Sequence, residues 1–214
     1  MSDLLIVFLK VPRPGFVKTR LAASVGAVHA AHLYRVMTER VLARTERECR
    51  VVFYAPADAG AEVQAWLPDE RALVQSEGDL GARMAAAFQW AFGDGAARAV
   101  LIGTDVPDLS HDVVRGAFES LRTHDVVLGP SLDGGYYLIG LRRPAPALFD
   151  GVAWSTPAVL GQTLERAESL GLCAASLPVR GDVDTLGDLR REWPRLRRWL
   201  PRELAEAMAK VITE

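Results

Sequence analysis

The sequence predicts an α/β protein, a three-layer α/β/α sandwich around a mixed, mostly parallel sheet. Three observations carry that prediction. Short continuous apolar runs alternate with segments of helical period, the pattern of strands covered on both faces by helices. Polar loops carrying glycine and aspartate follow several of those runs, as Gly103-Thr104-Asp105 and Gly181-Asp182-Val183-Asp184 do. Two runs, 125–129 and 136–141, are joined with no helix between them, so one strand pair breaks the parallel order.

With 214 residues, half of them hydrophobic, the chain reads as one domain over 1–214, with 190–214 as a helical C-terminal extension. Lys and Arg number 25 against 27 Asp and Glu, so no strongly basic field points to nucleic acid. Two cysteines, Cys49 and Cys173, are too few for a disulfide framework or a cysteine zinc site, as expected in a reducing cytoplasm. The N-terminal apolar run is six residues long without a basic segment before it, which reads as a strand rather than a signal peptide. No apolar run approaches the length of a membrane span.

The first strand is expected over 4–9. Pro12, Pro14 and Gly15 then fix a loop bearing Lys10, Arg13, Lys18 and Arg20 before helical spacing begins near Val17. Such a loop is either a solvated basic surface or a phosphate-binding entry to a helix. Residues 27–48 read as a long amphipathic helix, 50–55 as a strand, 61–67 as a short helix and 72–75 as a short strand. His29 and His32 lie on the long helix with no acidic partner, as structural or surface residues. Asp79 caps a helix over 80–92; Gly81 and Arg83 belong to that cap, or line a ligand pocket with Arg83 reaching inward. The clearest strand is 98–102, and Asp105 just beyond it stands where an α/β sheet places a metal or phosphate ligand. Ser110 caps the following helix.

The stretch Gly129-Pro130-Ser131-Leu132-Asp133-Gly134-Gly135 crosses between the two adjacent strands, and Gly134-Gly135 supplies a tight turn or a close approach to a ligand. Trp154 packs, or closes over a ligand; Thr156 and Pro157 start the next helix. A last strand is expected over 173–179. Asp182 and Asp184 alternate and point the same way on extended backbone, and Thr185 caps a helix. The arginine-rich tail is broken by Pro194 and Pro201, and its arginines form a solvated face or a homodimer contact.

The set K-V-P-x-P-G-x-V-K-T-R-L (10–21), D-L-G-x-R-M (79–84), G-T-D-V-P-x-L (103–109), G-P-S-x-D-G-G-Y-Y-L-I-G (129–140), W-S-T (154–156) and D-V-D-T-x-x-D-L (182–189) resembles a bacterial family of GT-A-like transferases associated with radical-SAM or selenium-linked domains. It is more distantly similar to the phospholactate guanylyltransferases and molybdenum-cofactor nucleotidyltransferases. The resemblance runs from about residue 4 to 190. It implies a nucleotide-diphospho-sugar transferase fold. It also implies that the first loop, with Pro14, Gly15, Lys18 and Arg20, holds a triphosphate. Asp105 and Asp184 then hold Mg²⁺ or Mn²⁺, and Gly81 and Arg83 meet the base or sugar. Thr104, Gly134 and Gly135 are expected as further nucleotide contacts. The central motif is T-D-V-P rather than the D-x-D of many GT-A glycosyltransferases, although Asp182-Val183-Asp184 supplies a D-x-D elsewhere.

Three functions follow as expectations. The first is nucleotidyl transfer from a nucleoside triphosphate to a small acceptor, with Lys18, Arg20 and Asp105 in the chemistry and Asp133 as base for a hydroxyl acceptor. The second is glycosyl transfer from a nucleotide sugar. The third is nucleotide binding without turnover. None calls for nucleic acid or a membrane.

Overall fold

The computed structural model describes residues 2–213. In chain order it contains β1 (Asp3–Lys10), α1 (Thr19–Val25), α2 (Ala27–Arg44), β2 (Arg50–Ala55), α3 (Gly60–Trp66), β3 (Ala72–Val74), α4 (Leu80–Gly93), β4 (Arg98–Ile102), α5 (His111–Ser120), β5 (Val126–Pro130), β6 (Tyr136–Leu141), α6 (Val159–Ser169), β7 (Ala174–Ser176), α7 (Leu186–Leu196) and α8 (Arg202–Thr213).

The seven strands form one sheet in the order β3-β2-β1-β4-β6-β5-β7. β6 runs antiparallel to both neighbours, and every other pairing is parallel. The reversal follows from chain length. Residues 131–135 are too few for a crossover, so the chain turns back as a hairpin. The α/β class and the mixed, mostly parallel sheet therefore stand as the sequence predicts.

Alternation along β1 explains its unbroken apolar run. Leu5, Val7 and Leu9 face one layer with residues of α2, α3 and α5, while Leu4, Ile6 and Phe8 face the other with α4. A third cluster joins α1 and α2 to α7 and α8 through Leu21, Leu33, Met37, Leu189, Leu196, Leu204 and Met208. Among the described residues no helix is long and apolar enough to cross a membrane.

Several boundaries differ from expectation. The long helix stops at Arg44, not 48; the buried Thr45 hydroxyl donates to the Val41 carbonyl. The last strand is limited to Ala174–Ser176: Leu177 N still donates to Leu128 O at 2.8 Å, but the next donor, to Pro130 O, is Arg180 N, one residue out of step with the ladder. Beyond it, among the described residues, Ser131 and Arg180 alone form a bridge. Ser110 precedes α5 without a side-chain cap. Pro157 does not open α6, which begins at Val159; Thr156 instead donates to Ala153 O at 2.7 Å. Pro194 sits inside α7, and the break falls after Leu196; burial of Leu189 and Leu196 against α1 and α2 carries the helix through the proline.

Candidate active site

β1 has β2 on one side and β4 on the other. The strand order reverses there, and at such a point the loops leaving the carboxyl ends diverge and open a crevice. A cleft of about 610 Å³ occupies it. Its walls come from the end of β1 (Phe8–Lys10), residues 16–20, Tyr34 of α2, Gln75, the start of α4, residues 103–105 after β4, the start of β6, Ser155 and Asp184.

Lys18 stands at the centre. Its Nζ lies 2.6 Å from Asp105 Oδ1 and 2.6 Å from Asp184 Oδ1. The lysine side chain is 3% exposed, whereas the two carboxylates are 48% and 41% exposed. Burial alone would lower the lysine pKa, but the charges of Asp105 and Asp184 outweigh it and hold the ammonium protonated, with its pKa raised above the ordinary value. The backbone of Lys18 is left-handed, at φ 49° and ψ 43°, sparsely populated for any residue with a Cβ. Ser155, also in the cleft wall, is the other non-glycine residue of positive φ among the described residues. Such backbone costs free energy and persists where surrounding contacts fix it. The two carboxylate loops are tied together by Val183 N donating to Asp105 O at 3.1 Å.

Beneath this lies a buried hydroxyl chain. Thr38 Oγ1 donates to Thr104 Oγ1 at 3.1 Å, and Thr104 Oγ1 to Tyr34 Oη at 3.1 Å. The Lys10 amide donates to the same Tyr34 oxygen at 2.9 Å. Burial raises the Tyr34 pKa, so the phenol stays neutral. Its ring centroid lies 6.0 Å from Lys18 Nζ, an approach at which a cation is attracted to a ring. Gln75 bridges the sheet end, its Nε2 donating to Leu9 O at 3.1 Å and Phe53 O at 3.0 Å. Sequence reasoning did not single out Tyr34 or Gln75. Helical spacing already accounted for Tyr34, and only the polar tip on an otherwise alanine-rich face offered a signal.

The remaining candidates divide. Lys18, Arg20, Arg83, Thr104, Asp105 and Asp184 line the cleft; Pro14, Gly15, Gly81, Asp133, Gly134 and Gly135 do not. Arg13 turns away from the first loop to pair with Asp58 and Glu62. Gly81 serves packing, since a Cβ there would lie 2.5 Å from the Trp154 indole nitrogen. Gly134 lies at φ +88°, and a Cβ would fall 2.3 Å from the Pro157 carbonyl oxygen. Trp154 packs against Phe149, with ring centroids 6.4 Å apart. Asp133 is engaged in its own turn, accepting from Ser131 Oγ and, at 3.0 Å, from Gly135 N. Asp182 lies outside the cleft lining, unlike Asp184; burial first, then the charges of Asp133 and Asp184, push its pKa up to about 6.

Three carboxylates line the cleft; Asp79 caps α4, accepting from Ala82 N at 2.8 Å, and Asp105 and Asp184 are the pair that could hold a divalent cation. Among the described residues no group of three or more His, Cys, Asp or Glu is arranged to hold a metal. Two half-exposed carboxylates are hard oxygen donors, and the set fits a small cation that completes its shell with water and substrate phosphate rather than with protein.

A family model described as an uncharacterized protein conserved in bacteria (DUF2064) matches residues 38–156. A candidate nucleotide-diphospho-sugar transferase from Desulfovibrio desulfuricans G20 is 37% identical, with a TM-score of 0.91, over 100% of this chain and 98% of that one. CMP:2-keto-3-deoxy-manno-octonic acid synthetase complexed with CTP shares the fold at 14% identity and a TM-score of 0.57, over 94% of this chain and all of that one. Rv0371c of Mycobacterium tuberculosis H37Rv, in complex with manganese, does so at 16% identity and a TM-score of 0.56, over 91% of this chain and all of that one. No curated protein matches the sequence. The fold is that of the nucleotide-diphospho-sugar transferases.

Proposed function

The chain belongs to the DUF2064 family of proteins conserved in bacteria, and from that premise we propose that it is a divalent-metal-dependent transferase of nucleotidyl groups. The donor is a nucleoside triphosphate and the acceptor a small molecule bearing a phosphate or hydroxyl. The observation that carries this reading is the Lys18 ammonium between Asp105 and Asp184 in a cleft at the switch point of the sheet. The nucleotide and manganese complexes of the distant proteins of the same fold support it.

In this mechanism the acceptor oxygen attacks the α-phosphorus in line, the bond from that phosphorus to the bridging oxygen breaks, and pyrophosphate leaves. Lys18 and Arg20 bind the phosphate chain and stabilise charge on its non-bridging and leaving oxygens. Asp105 and Asp184 hold the metal, Mg²⁺ or Mn²⁺, which supplies charge neutralisation at the phosphates. Tyr34 and Thr104 fix the base of the cleft. Phe16, 67% exposed in its wall, offers an apolar face for a nucleobase. Asp133 lies outside the cleft, so the reading favours a phosphate-bearing acceptor, which arrives as an anion and needs no general base.

Glycosyl transfer from a nucleotide sugar is the second reading, and the name of the 37% identical protein favours it. One experiment separates the two. Purified protein with Mg²⁺ is offered the four nucleoside triphosphates and, separately, nucleotide sugars, with pooled phosphorylated acceptors. Metal-dependent pyrophosphate release from a triphosphate is the expected result. Release of nucleoside diphosphate from a nucleotide sugar alone would replace the proposal with sugar transfer.

A further inference from the structure

The ammonium of Lys18 occupies the space between the two carboxylates that a divalent cation would need. Both Oδ1 atoms lie 2.6 Å from Nζ. A dication entering between them would face a like charge at contact distance, with no room for both. Two carboxylates neutralised in part by a resident ammonium are a poor site for a bare ion, and such ions ordinarily recruit phosphate oxygens as further ligands. Lysine is suited to leaving: it is a point charge on a flexible four-carbon stem. Its backbone is held in the left-handed region, where non-glycine strain collects at switching positions. Beside it opens the 610 Å³ cleft, with Arg20 in the same wall.

Resting on the nucleotide reading above, we propose that Lys18 is a latch on the metal site. In the free protein it closes Asp105 and Asp184 to divalent ions; the phosphates of an incoming nucleotide draw its ammonium away and so open the pair. Metal and nucleotide then bind together, phosphate with or before the ion, and a free divalent cation is excluded.

The test is a titration with Mn²⁺ alone, followed by the electron paramagnetic resonance signal of the free ion. Wild type is expected to bind more weakly than about 1 mM. Lys18→Met, near in volume and without charge, is expected to bind at least about tenfold more tightly. Lys18→Met with Asp184→Asn should return to the wild-type level. A micromolar site in wild type overturns the latch without recourse to any variant, as does a Lys18→Met protein no tighter than wild type. Lys18→Gln is the second variant should the methionine form not fold. A parallel thermal shift with Mg²⁺ and each nucleoside triphosphate separates the two ideas. A shift in wild type with no tighter Mn²⁺ binding in Lys18→Met removes the latch and leaves the nucleotide site. No shift with any triphosphate removes the nucleotide reading, and the phosphate trigger with it.

Discussion

Asp184→Asn, combined with Lys18→Met, measures how strongly the clasp holds the loops together. Taking about 3 Å between the charges, Coulomb's law gives about 1.4 kcal/mol at the dielectric of water and about 5.5 kcal/mol at an effective value of 20. The lysine is 3% exposed and pulls toward the larger figure; the carboxylate is 41% exposed and pulls toward the smaller. Asp105 remains as a second partner for the ammonium, which further softens the loss of one carboxylate. The expected coupling in a double-mutant cycle is therefore about 2 kcal/mol. Asp184→Asn alone should lower the thermal midpoint by roughly 4–8 °C for a chain of this size. Thermal unfolding of the four proteins in chelator, with denaturant unfolding as a cross-check, gives both numbers. A coupling below about 0.5 kcal/mol lies within ordinary additivity scatter and would refute the clasp as an energetic link.

Other perturbations test other parts of the structure. On the proposed function, Asp105→Asn should reduce metal-dependent turnover about a thousandfold, since it would remove a metal oxygen donor worth several kcal/mol, while far-UV circular dichroism stays native; turnover within tenfold of wild type would contradict the role proposed for Asp105. Gly134→Ala combines a left-handed backbone with an overlap against backbone that cannot swing aside, so it should cost about 3 kcal/mol and roughly 6–12 °C. Gly151→Ala, at φ +72° with nothing within 4 Å, is its control and should lose only the conformational part. Buried Asp125 accepts from Cys173 N at 3.1 Å and pairs with Arg142 at 2.8 Å, which together hold its pKa below the ordinary carboxylate value. A depressed carboxylate contributes stability that is present above its unfolded pKa and lost as pH falls through the folded one. Asp125→Asn should thus destabilise at pH 7, and thermal melts should show the gap from wild type closing as the solution is acidified below the carboxylate range; a gap independent of pH would sink that account.

The sequence was most informative where chain geometry leaves little choice. The reversal of β6 was legible because the link from β5 is too short for a helix. Lys18, Asp105 and Asp184 were legible as candidates because each lies in a loop leaving a strand of an α/β pattern, and the fold brings all three to one point. What could not be read were partners set by tertiary approach. Gly81 and Gly134 carry no sign that Trp154 and Pro157 lie against them. Tyr34 and Gln75 satisfy a helix period and a strand end without further reason. The cationic loop reads as four equal charges, yet Asp58 and Glu62, distant in sequence, take Arg13 away from the cleft. The last strand is shorter than its apolar pattern because its backbone falls one residue out of step with β5 between Leu177 and Arg180, a register fault that the pattern does not reveal.

The clasp joins residues 166 apart in the chain. On the ribosome, Lys18 and Asp105 emerge long before Asp184, and β1, β2 and β4 can pair while the last third is still being made. The lysine then has one carboxylate, and the loop it caps lacks the anchor given by α7 and α8. The central strands can therefore pair before the clasp is complete, because its second carboxylate arrives only when the 182–185 loop docks against Asp105.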